Sequence, residues 1–262
     1  MSEQRSPSEL ASRYQAVRQR IADAAARAGR DSDSVHLVAV TKYASLAQVR
    51  ELIELGHCDF GESRMQHLLQ ISAQVQEHLD RRRELGHVDG LTDRVRWHFI
   101  GHLQRNKVRR IQPLCRLIHS VDSLRLAEEI QAAAREDHPP TEVLVQVNVD
   151  GERGKHGVAP AAAEHLIDQM TTMPDVRVRG LMCMGPQSED PEATRPVFER
   201  AYELFDDIRR SAGLERFDVL SMGMTQDFEV AIECGANVVR VGSAIFGTPD
   251  PDAVEAEAAE AS

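Results

Sequence analysis

The sequence predicts an α/β fold, a single (β/α)8 TIM barrel with an extra N-terminal helix and no second β domain. Eight short apolar or β-branched runs alternate with helical patterns along the 262 residues. Runs such as VLVQVNV are apolar on both faces, which suits parallel strands that are covered by helices. The length also matches the roughly 250 residues that such a barrel needs.

An amphipathic helix comes first and is predicted over residues 8 to 28. Apolar side chains recur there at helical spacing, Ser8 is placed to cap the start, and Gly29 follows the end. A second helix is predicted to begin after Ser45 and to end before Gly56. The eight strands are predicted at residues 36–42, 58–62, 96–101, 117–121, 142–149, 176–183, 217–222 and 237–242.

The predicted barrel domain covers residues 1–247, and an acidic tail follows at 248–262. We expect this tail to be disordered, because it is rich in charge and poor in large apolar residues. The polar stretch from about 80 to 94 is predicted to be a loop on the barrel surface. The competing architecture is an open doubly wound sheet, but no G-x-G-x-x-G turn follows the first strand.

The charge balance and the lack of long apolar runs argue against nucleic acid and membranes as partners. The chain has 31 Lys+Arg against 42 Asp+Glu, a net charge of -11, which argues against nucleic acid as the main partner. No apolar run approaches the roughly 20 residues of a membrane span, and the N-terminus is polar. We therefore expect a cytoplasmic protein without a membrane partner.

No metal site is expected, because the 4 cysteines form no C-x-x-C pair and His98 and His102 need not share a helix face.

A lysine stands at the carboxyl end of the first predicted strand. Lys42 directly follows the apolar run LVAVT, and the functional groups of a barrel gather at the carboxyl ends of its strands. A partly desolvated amine has a lowered pKa and is a better nucleophile toward an aldehyde. By position alone, an ordinary surface lysine is the alternative interpretation.

Small and hydroxyl-bearing residues follow the seventh and eighth predicted strands. Ser221 and Met224 belong to the segment SMGMT, and Arg240, Gly242 and Ser243 belong to RVGS. Loops after these strands form the usual phosphate site of a barrel, although two tight turns with capping residues are the alternative. An amine that faces a phosphate cradle describes a site for a phosphorylated aldehyde, of which pyridoxal 5'-phosphate is the commonest.

Seven segments between Val35 and Gly247 resemble one known family. The chain is similar to the pyridoxal phosphate homeostasis protein family, which is also described as alanine racemase N-terminal-domain-like. The strings HFIGHLQRNK and SMGMTQDFEVAI are long and chemically unusual, and the order of the segments is the same. The segments are AVTKYAS, DFGES, WHFIGHLQRNK, NVDGERGKHGV, RGLMCMGP, LSMGMTQDFEVAIECGA and VRVGSAIFG.

The resemblance implies a barrel of the pyridoxal-enzyme fold type III, with Lys42 forming the Schiff base to the cofactor. It also implies that Arg240 faces the pyridine nitrogen, where a cation weakens the ring as an electron sink. This suits a protein that holds the cofactor more than one that reacts it. The implied cofactor-binding residues are Lys42, Met224 and Arg240, with Ser221, Gly242 and Ser243 near the phosphate and His98 close to the ring.

The chain departs from the family pattern in three segments. AVTKYAS has Thr41 and Ser45 where a serine and a proline are usual. DFGES has Ser63 in place of an asparagine, which puts a side-chain contact to the cofactor in doubt. FIGHLQ has His102 in place of a proline.

The residues favour a cofactor carrier over an enzyme. Racemisation needs two acid/base groups on opposite faces of the cofactor, and the similar racemases use a second β-rich domain to complete the site. Tyr43 follows Lys42 and, in a strand, would point to the opposite side. We expect a non-enzymatic, monomeric protein that holds pyridoxal phosphate on Lys42. The role in intracellular homeostasis and delivery to apo-enzymes is what the resemblance alone implies. A small pyridoxal-dependent amino-acid racemase and a Schiff-base aldolase for phosphorylated sugars stay open as alternatives.

Overall fold

The computed structural model describes residues 8–86, 95–135, 138–152, 154–214 and 216–248. Within them, eight parallel strands close into a barrel in which every strand pairs with its neighbours in sequence. The predicted barrel is confirmed, and all eight predicted strands are present. The strands are β1 His36–Val40, β2 Asp59–Glu62, β3 Arg96–Phe99, β4 Cys115–Val121, β5 Thr141–Gln146, β6 Val176–Met182, β7 Val219–Ser221 and β8 Val238–Val241.

Helices surround the barrel, and their ends follow the capping pattern of the sequence. The Ser8 hydroxyl accepts a hydrogen bond from the N–H of Ala11 at the start of the first helix. Ser45 and Gln48 form a reciprocal capping box at the start of the second. The helices are α1 Glu9–Arg27, α2 Leu46–Glu54, α3 Met65–Glu84, α4 Val108–Ile111, α5 Leu124–Ala132, α6 Pro160–Thr171, α7 Arg195–Ser211, α8 Phe228–Glu233 and α9 Ser243–Phe246.

Part of the loop predicted at 80 to 94 is helical. Helix α3 continues to Glu84, because Val75 and Leu79 extend its buried face and Arg81 pairs with Glu77 one turn earlier. Residues 87–94 of that prediction, and residues 249–262 of the predicted tail, lie outside the described residues.

The extra N-terminal helix is held to the barrel by a buried polar contact. Tyr14 of α1 is 6% exposed, and its hydroxyl lies 3.3 Å from Nδ1 of His57. Burial lowers the pKa of His57 to about 4, so the imidazole is neutral at pH 7. Its Nε2–H donates to the carbonyl of Asp59 at 2.7 Å, which leaves Nδ1 to accept from Tyr14. The contact joins α1 to the start of β2.

Among the described residues, no helix combines the length and the apolar character needed to cross a bilayer.

Candidate functional site

A cavity of about 420 Å³ opens at the carboxyl ends of the strands. Its volume falls in the range of roughly 300–1,000 Å³ that is typical of small-molecule sites. It brings together five of the residues that the sequence predicted as a site. One follows β1, one follows β7, one lies in β8 and two follow β8. These residues are Lys42, Met224, Arg240, Gly242 and Ser243.

Lys42 lies in a turn after β1 and not in the strand itself. Strand β1 ends at Val40, and residues 42 and 43 form a turn. Nζ of Lys42 lies 4.9 Å from the centroid of the Tyr43 ring, and both residues line the cavity. The expectation that Tyr43 points to the opposite side is therefore wrong, because strand alternation does not extend past the end of a strand.

A buried carboxylate at the end of β2 holds this turn in place. Glu62 has no exposed surface and accepts hydrogen bonds from the Thr41 hydroxyl at 3.0 Å and from the N–H of Arg64 at 3.1 Å. Burial raises the pKa of Glu62, but the hydrogen bond to His67 and those from the backbone outweigh it and keep the pKa below its usual value. Arg64 in turn donates to the carbonyl of Lys42 at 2.7 Å. Glu62 thereby positions Thr41, which precedes the lysine, and Arg64, which binds its carbonyl.

The structure shows the surroundings of Thr41 and Ser63, two residues that depart from the family pattern. The hydroxyl of Thr41 makes the contact to Glu62, and a serine hydroxyl could make the same one, so this exchange is conservative. Ser63 does not belong to the described residues that line the cavity.

Hydroxyls and N–H groups meet on the side of the cavity formed after β7 and β8. The N–H of Gly242 lies 3.3 Å from Oγ1 of Thr225, and the Ser243 hydroxyl lies 3.3 Å from the same atom. A Cβ at Gly242 would come within 3.3 Å of the Val40 carbonyl oxygen, so a side chain there would crowd the end of β1. Met224 borders this cluster and is 42% exposed. Such a set of donors suits a phosphate group.

A chain of hydrogen bonds runs from the cavity floor through the barrel interior. Arg240 is 4% exposed, and its Nη1 donates to the Ser221 hydroxyl at 2.6 Å. The hydroxyl lies 3.0 Å from Nδ1 of His119. Nε2 of His119 lies 2.9 Å from Nδ1 of His98, and Nε2 of His98 lies 3.1 Å from Oδ1 of Asp59. Asp59 and its register partner Arg96 are the first residues of β2 and β3, so the chain reaches the opposite end of the barrel.

With both imidazoles neutral, the chemistry at the two ends of this chain fixes the direction of every hydrogen bond in it. A guanidinium can only donate, so the Ser221 hydroxyl must turn its proton toward His119. His119 then carries its proton on Nε2 and donates to His98, which donates to the carboxylate of Asp59. Burial lowers the pKa of His119 well below its usual value, which agrees with a neutral imidazole. Burial also lowers the pKa of Arg240 from its usual 12.5, but an arginine stays charged at neutral pH.

Two predicted site residues therefore lie beneath the cavity. His98 and Ser221 were predicted next to the ring and the phosphate, respectively. Neither belongs to the described residues that line the cavity, because both side chains point into the barrel and contact His119. Their hydrogen bonds give them a role in positioning Arg240.

Sequence reasoning missed four polar residues of the site. His119 and Asp59 complete the interior chain, Glu62 holds the Lys42 turn, and Asp227 lines the cavity. Asp227 is 6% exposed, accepts from the N–H of Met224 at 2.6 Å, and has its pKa raised by burial. The available signal was a polar residue within or beside an apolar strand, as in LIHSV and DFGE.

Asp59, at the end of the interior hydrogen-bond chain, predicts how acid affects the stability of the fold. Burial raises the pKa of Asp59, but hydrogen bonds from His98 and Arg96 outweigh it and hold the pKa below its usual value. Such a carboxylate stabilises the fold above its unfolded pKa of about 3.9, and this contribution is lost as the pH falls toward the folded pKa. We expect Asp59→Asn to lower the free energy of unfolding by about 1–3 kcal/mol at pH 7.

This expectation is checked by urea unfolding of both proteins across pH. The difference between wild type and Asp59→Asn should shrink steadily below about pH 4. A difference of the same size at pH 7 and pH 3 would contradict the assignment of Asp59 as a charged acceptor.

Comparisons with known proteins agree on one family. The family described as "Alanine racemase, N-terminal domain" matches residues 13–250. The pyridoxal phosphate homeostasis protein of Aquifex aeolicus is 39% identical over 235 residues, which cover 90% of this chain and 96% of the relative. The protein of the same description from Pseudomonas aeruginosa is 38% identical over 243 residues, which cover 93% and 97%.

A solved structure supports the same assignment. PipY of Synechococcus elongatus, in a structure with PLP bound, is 30% identical with a TM-score of 0.69. The match covers 87% of this chain and 100% of that one. The resemblance inferred from the sequence motifs is thus confirmed, and the chain belongs to the pyridoxal phosphate homeostasis protein family, with a barrel of the alanine racemase N-terminal type.

Proposed function

We propose that this chain binds pyridoxal 5'-phosphate in the cavity, holds it as a Schiff base on Lys42, and serves intracellular cofactor homeostasis without catalysing a reaction. The observation that carries this proposal is the meeting of an amine, a hydroxyl cluster and a buried cation in one cavity of about 420 Å³. When bound, the cofactor supplies an aldehyde, which condenses with a lysine amine and releases water. The residues present fit its aldehyde, its phosphate and its pyridine nitrogen.

Each part of the cavity has a task in this proposal. Lys42 is presented by a turn that Glu62 and Arg64 hold from below. Thr225, Gly242 and Ser243 offer hydroxyl and N–H donors to the phosphate. These donors lie on the two loops after β7 and β8, whereas Lys42 follows β1, so the phosphate and the aldehyde would be held by different parts of the cavity.

Arg240 sets the character of the site. A cation next to the pyridine nitrogen disfavours protonation of that nitrogen. An unprotonated ring is a weak electron sink, so a bound amino acid would gain little acidity at its α-carbon. This favours storage and delivery of the cofactor to apo-enzymes, by a chain that we propose to act as a monomer in the cytoplasm.

A small amino-acid racemase is the second candidate. The observation that favours it is the presence of Tyr43 in the cavity, since a tyrosine can act as an acid or base. Against it, the amine of Lys42 lies over the Tyr43 ring, so the two groups are neighbours and do not face each other across the cavity.

The test exploits the low lysine content of the chain, which has only Lys42, Lys107 and Lys155. The protein is mixed with pyridoxal phosphate, reduced with borohydride and digested, and the modified peptide is identified by mass spectrometry. We expect the label at Lys42. Equal labelling of all three lysines, or none, would overturn the proposal.

A turnover assay separates the two candidates. The loaded protein is incubated with L-alanine or L-serine in D₂O, and exchange at the α-carbon is followed by NMR. We expect no exchange above that of free cofactor. Exchange that Lys42→Ala abolishes would establish the racemase instead.

A further inference from the structure

A second group of polar side chains lies at the same end of the barrel as the cavity. Among the described residues, His102, Asp122 and His156 form a group whose ligand atoms all lie within 4.8 Å of one another. Nδ1 of His102 lies 3.7 Å from Oδ2 of Asp122, and the two imidazole rings stack with their centroids 3.9 Å apart. The residues follow β3, β4 and β5, respectively, and none of them lines the cavity of Lys42.

Neighbouring structure fixes the backbone positions of Asp122 and His156. Asp122 directly follows the last residue of β4, and its side chain is 16% exposed. The carbonyl of His156 accepts a hydrogen bond from Nε2 of Gln146 at 3.1 Å. Gly157 then turns with φ +123°, and a Cβ there would come within 2.8 Å of the N atom of Asn148. Both ligand-bearing positions therefore stand on well-defined backbone.

We propose that His102, Asp122 and His156 bind one divalent transition-metal ion of the Zn²⁺ or Ni²⁺ class. Imidazole nitrogens suit these ions, whereas Mg²⁺ and Ca²⁺ take oxygen ligands. Two histidines and one carboxylate leave the remaining coordination positions to water or an external ligand. The site is independent of the proposed function, since it shares no residue with the cavity.

The distances require only side-chain motion. Metal–ligand bonds of about 2.0–2.2 Å place ligand atoms roughly 3.0–3.5 Å apart, which is shorter than the widest separation in this group. His102 and His156 are both exposed, so their rings can turn out of the stack toward a common centre. Since free rotation of exposed side chains is fast, the backbone need not move.

This group also explains why spacing in the sequence did not reveal a metal site. His98 and His102 are close in sequence, but His98 points into the barrel and contacts His119. The ligands instead come from three loops that meet only when the barrel closes. His102 is, in addition, one of the departures from the family pattern noted above.

Isothermal titration of the full chain with ZnCl₂ tests the proposal, at about pH 7.5 where an ordinary imidazole is neutral. We expect one ion per chain, and at least a roughly tenfold loss of affinity in each of His102→Ala, Asp122→Asn and His156→Ala. His165→Ala, which removes an exposed histidine from α6, is the matched control and should bind as the wild type does. Circular dichroism verifies that each variant is folded.

A second readout identifies the ligands directly. With Cu²⁺ in place of Zn²⁺, electron paramagnetic resonance should show coupling to two imidazole nitrogens in the wild type and to one in His156→Ala. The absence of saturable Zn²⁺ binding, or equal binding by wild type and the His102→Ala/His156→Ala double variant, would overturn the site. Lys42→Ala should bind Zn²⁺ unchanged, so failure of the cofactor proposal and failure of this one are distinguishable.

Discussion

Lys42→Ala is expected to lose the visible absorption band of bound pyridoxal phosphate completely and to take up no cofactor on borohydride reduction. The other two lysines, Lys107 and Lys155, lie outside the described lining of the cavity. Lys155 is moreover paired with Asp150 at 2.5 Å and with Glu152 at 2.6 Å. Burial lowers the pKa of Lys155, but these pairs outweigh it and raise the pKa, so this amine is a poorer nucleophile at neutral pH.

The absorption spectrum of the variant, recorded with increasing cofactor, measures this effect. Lys107→Ala serves as the matched control, since it removes an amine that does not belong to the described lining of the cavity. The control should show the wild-type band at the wild-type concentration of half-saturation. A band of wild-type intensity in Lys42→Ala, or its loss in Lys107→Ala, would contradict the assignment of the Schiff base to Lys42.

Breaking the interior hydrogen-bond chain is expected to have the second-largest effect, a loss of both fold stability and cofactor affinity. In His119→Leu the Ser221 hydroxyl loses its acceptor, and Nδ1 of His98 loses its donor. Both groups are buried, and each buried polar group left without a partner costs about 1–3 kcal/mol. We expect the free energy of unfolding to fall by roughly 2–4 kcal/mol and the affinity for pyridoxal phosphate to fall with it, because the Ser221 hydroxyl that accepts from Arg240 is no longer oriented by His119.

Urea denaturation and a cofactor titration measure these two effects separately. Ser221→Ala is the matched comparison, since it interrupts the chain one step nearer the cavity while leaving the His119–His98 contact in place. It removes the acceptor of Arg240 itself and the donor to His119, so it should weaken cofactor binding more than His119→Leu does, with a loss of stability of similar size. Unchanged stability and unchanged affinity in both variants would show that the chain has no role in positioning Arg240.

The barrel itself could be predicted because its signal is local. Each apolar run marks one strand, each capping serine marks one helix start, and the length admits eight such units. The position of Lys42 followed from the same logic, because the carboxyl ends of all strands meet at one end of a barrel. The residues after β7 and β8 were found for this reason too, and Gly242 and Ser243 do line the cavity.

The remaining features of the site depend on contacts between residues far apart in sequence, which no local pattern encodes. His119 and Ser221 are 102 residues apart in sequence, yet their side chains meet at 3.0 Å inside the barrel. The direction of the His98 ring is likewise set by His119 and Asp59, and not by its own neighbours in sequence. Tyr43 was misplaced because the prediction extended β1 to residue 42, whereas the strand ends at Val40.

The one-way order of the hydrogen bonds from Arg240 to Asp59 gives the barrel a fixed internal dipole. Its positive end lies at the floor of the cavity and its negative end at the amino ends of the strands. While both imidazoles are neutral, no single link can reverse, because the guanidinium cannot accept and the carboxylate cannot donate. An electron-rich ligand that enters the mouth thus meets a field that is already oriented and needs no reorganisation of the protein on binding. A substitution at Asp59 should therefore be felt at the far end of the barrel, although it never touches the ligand.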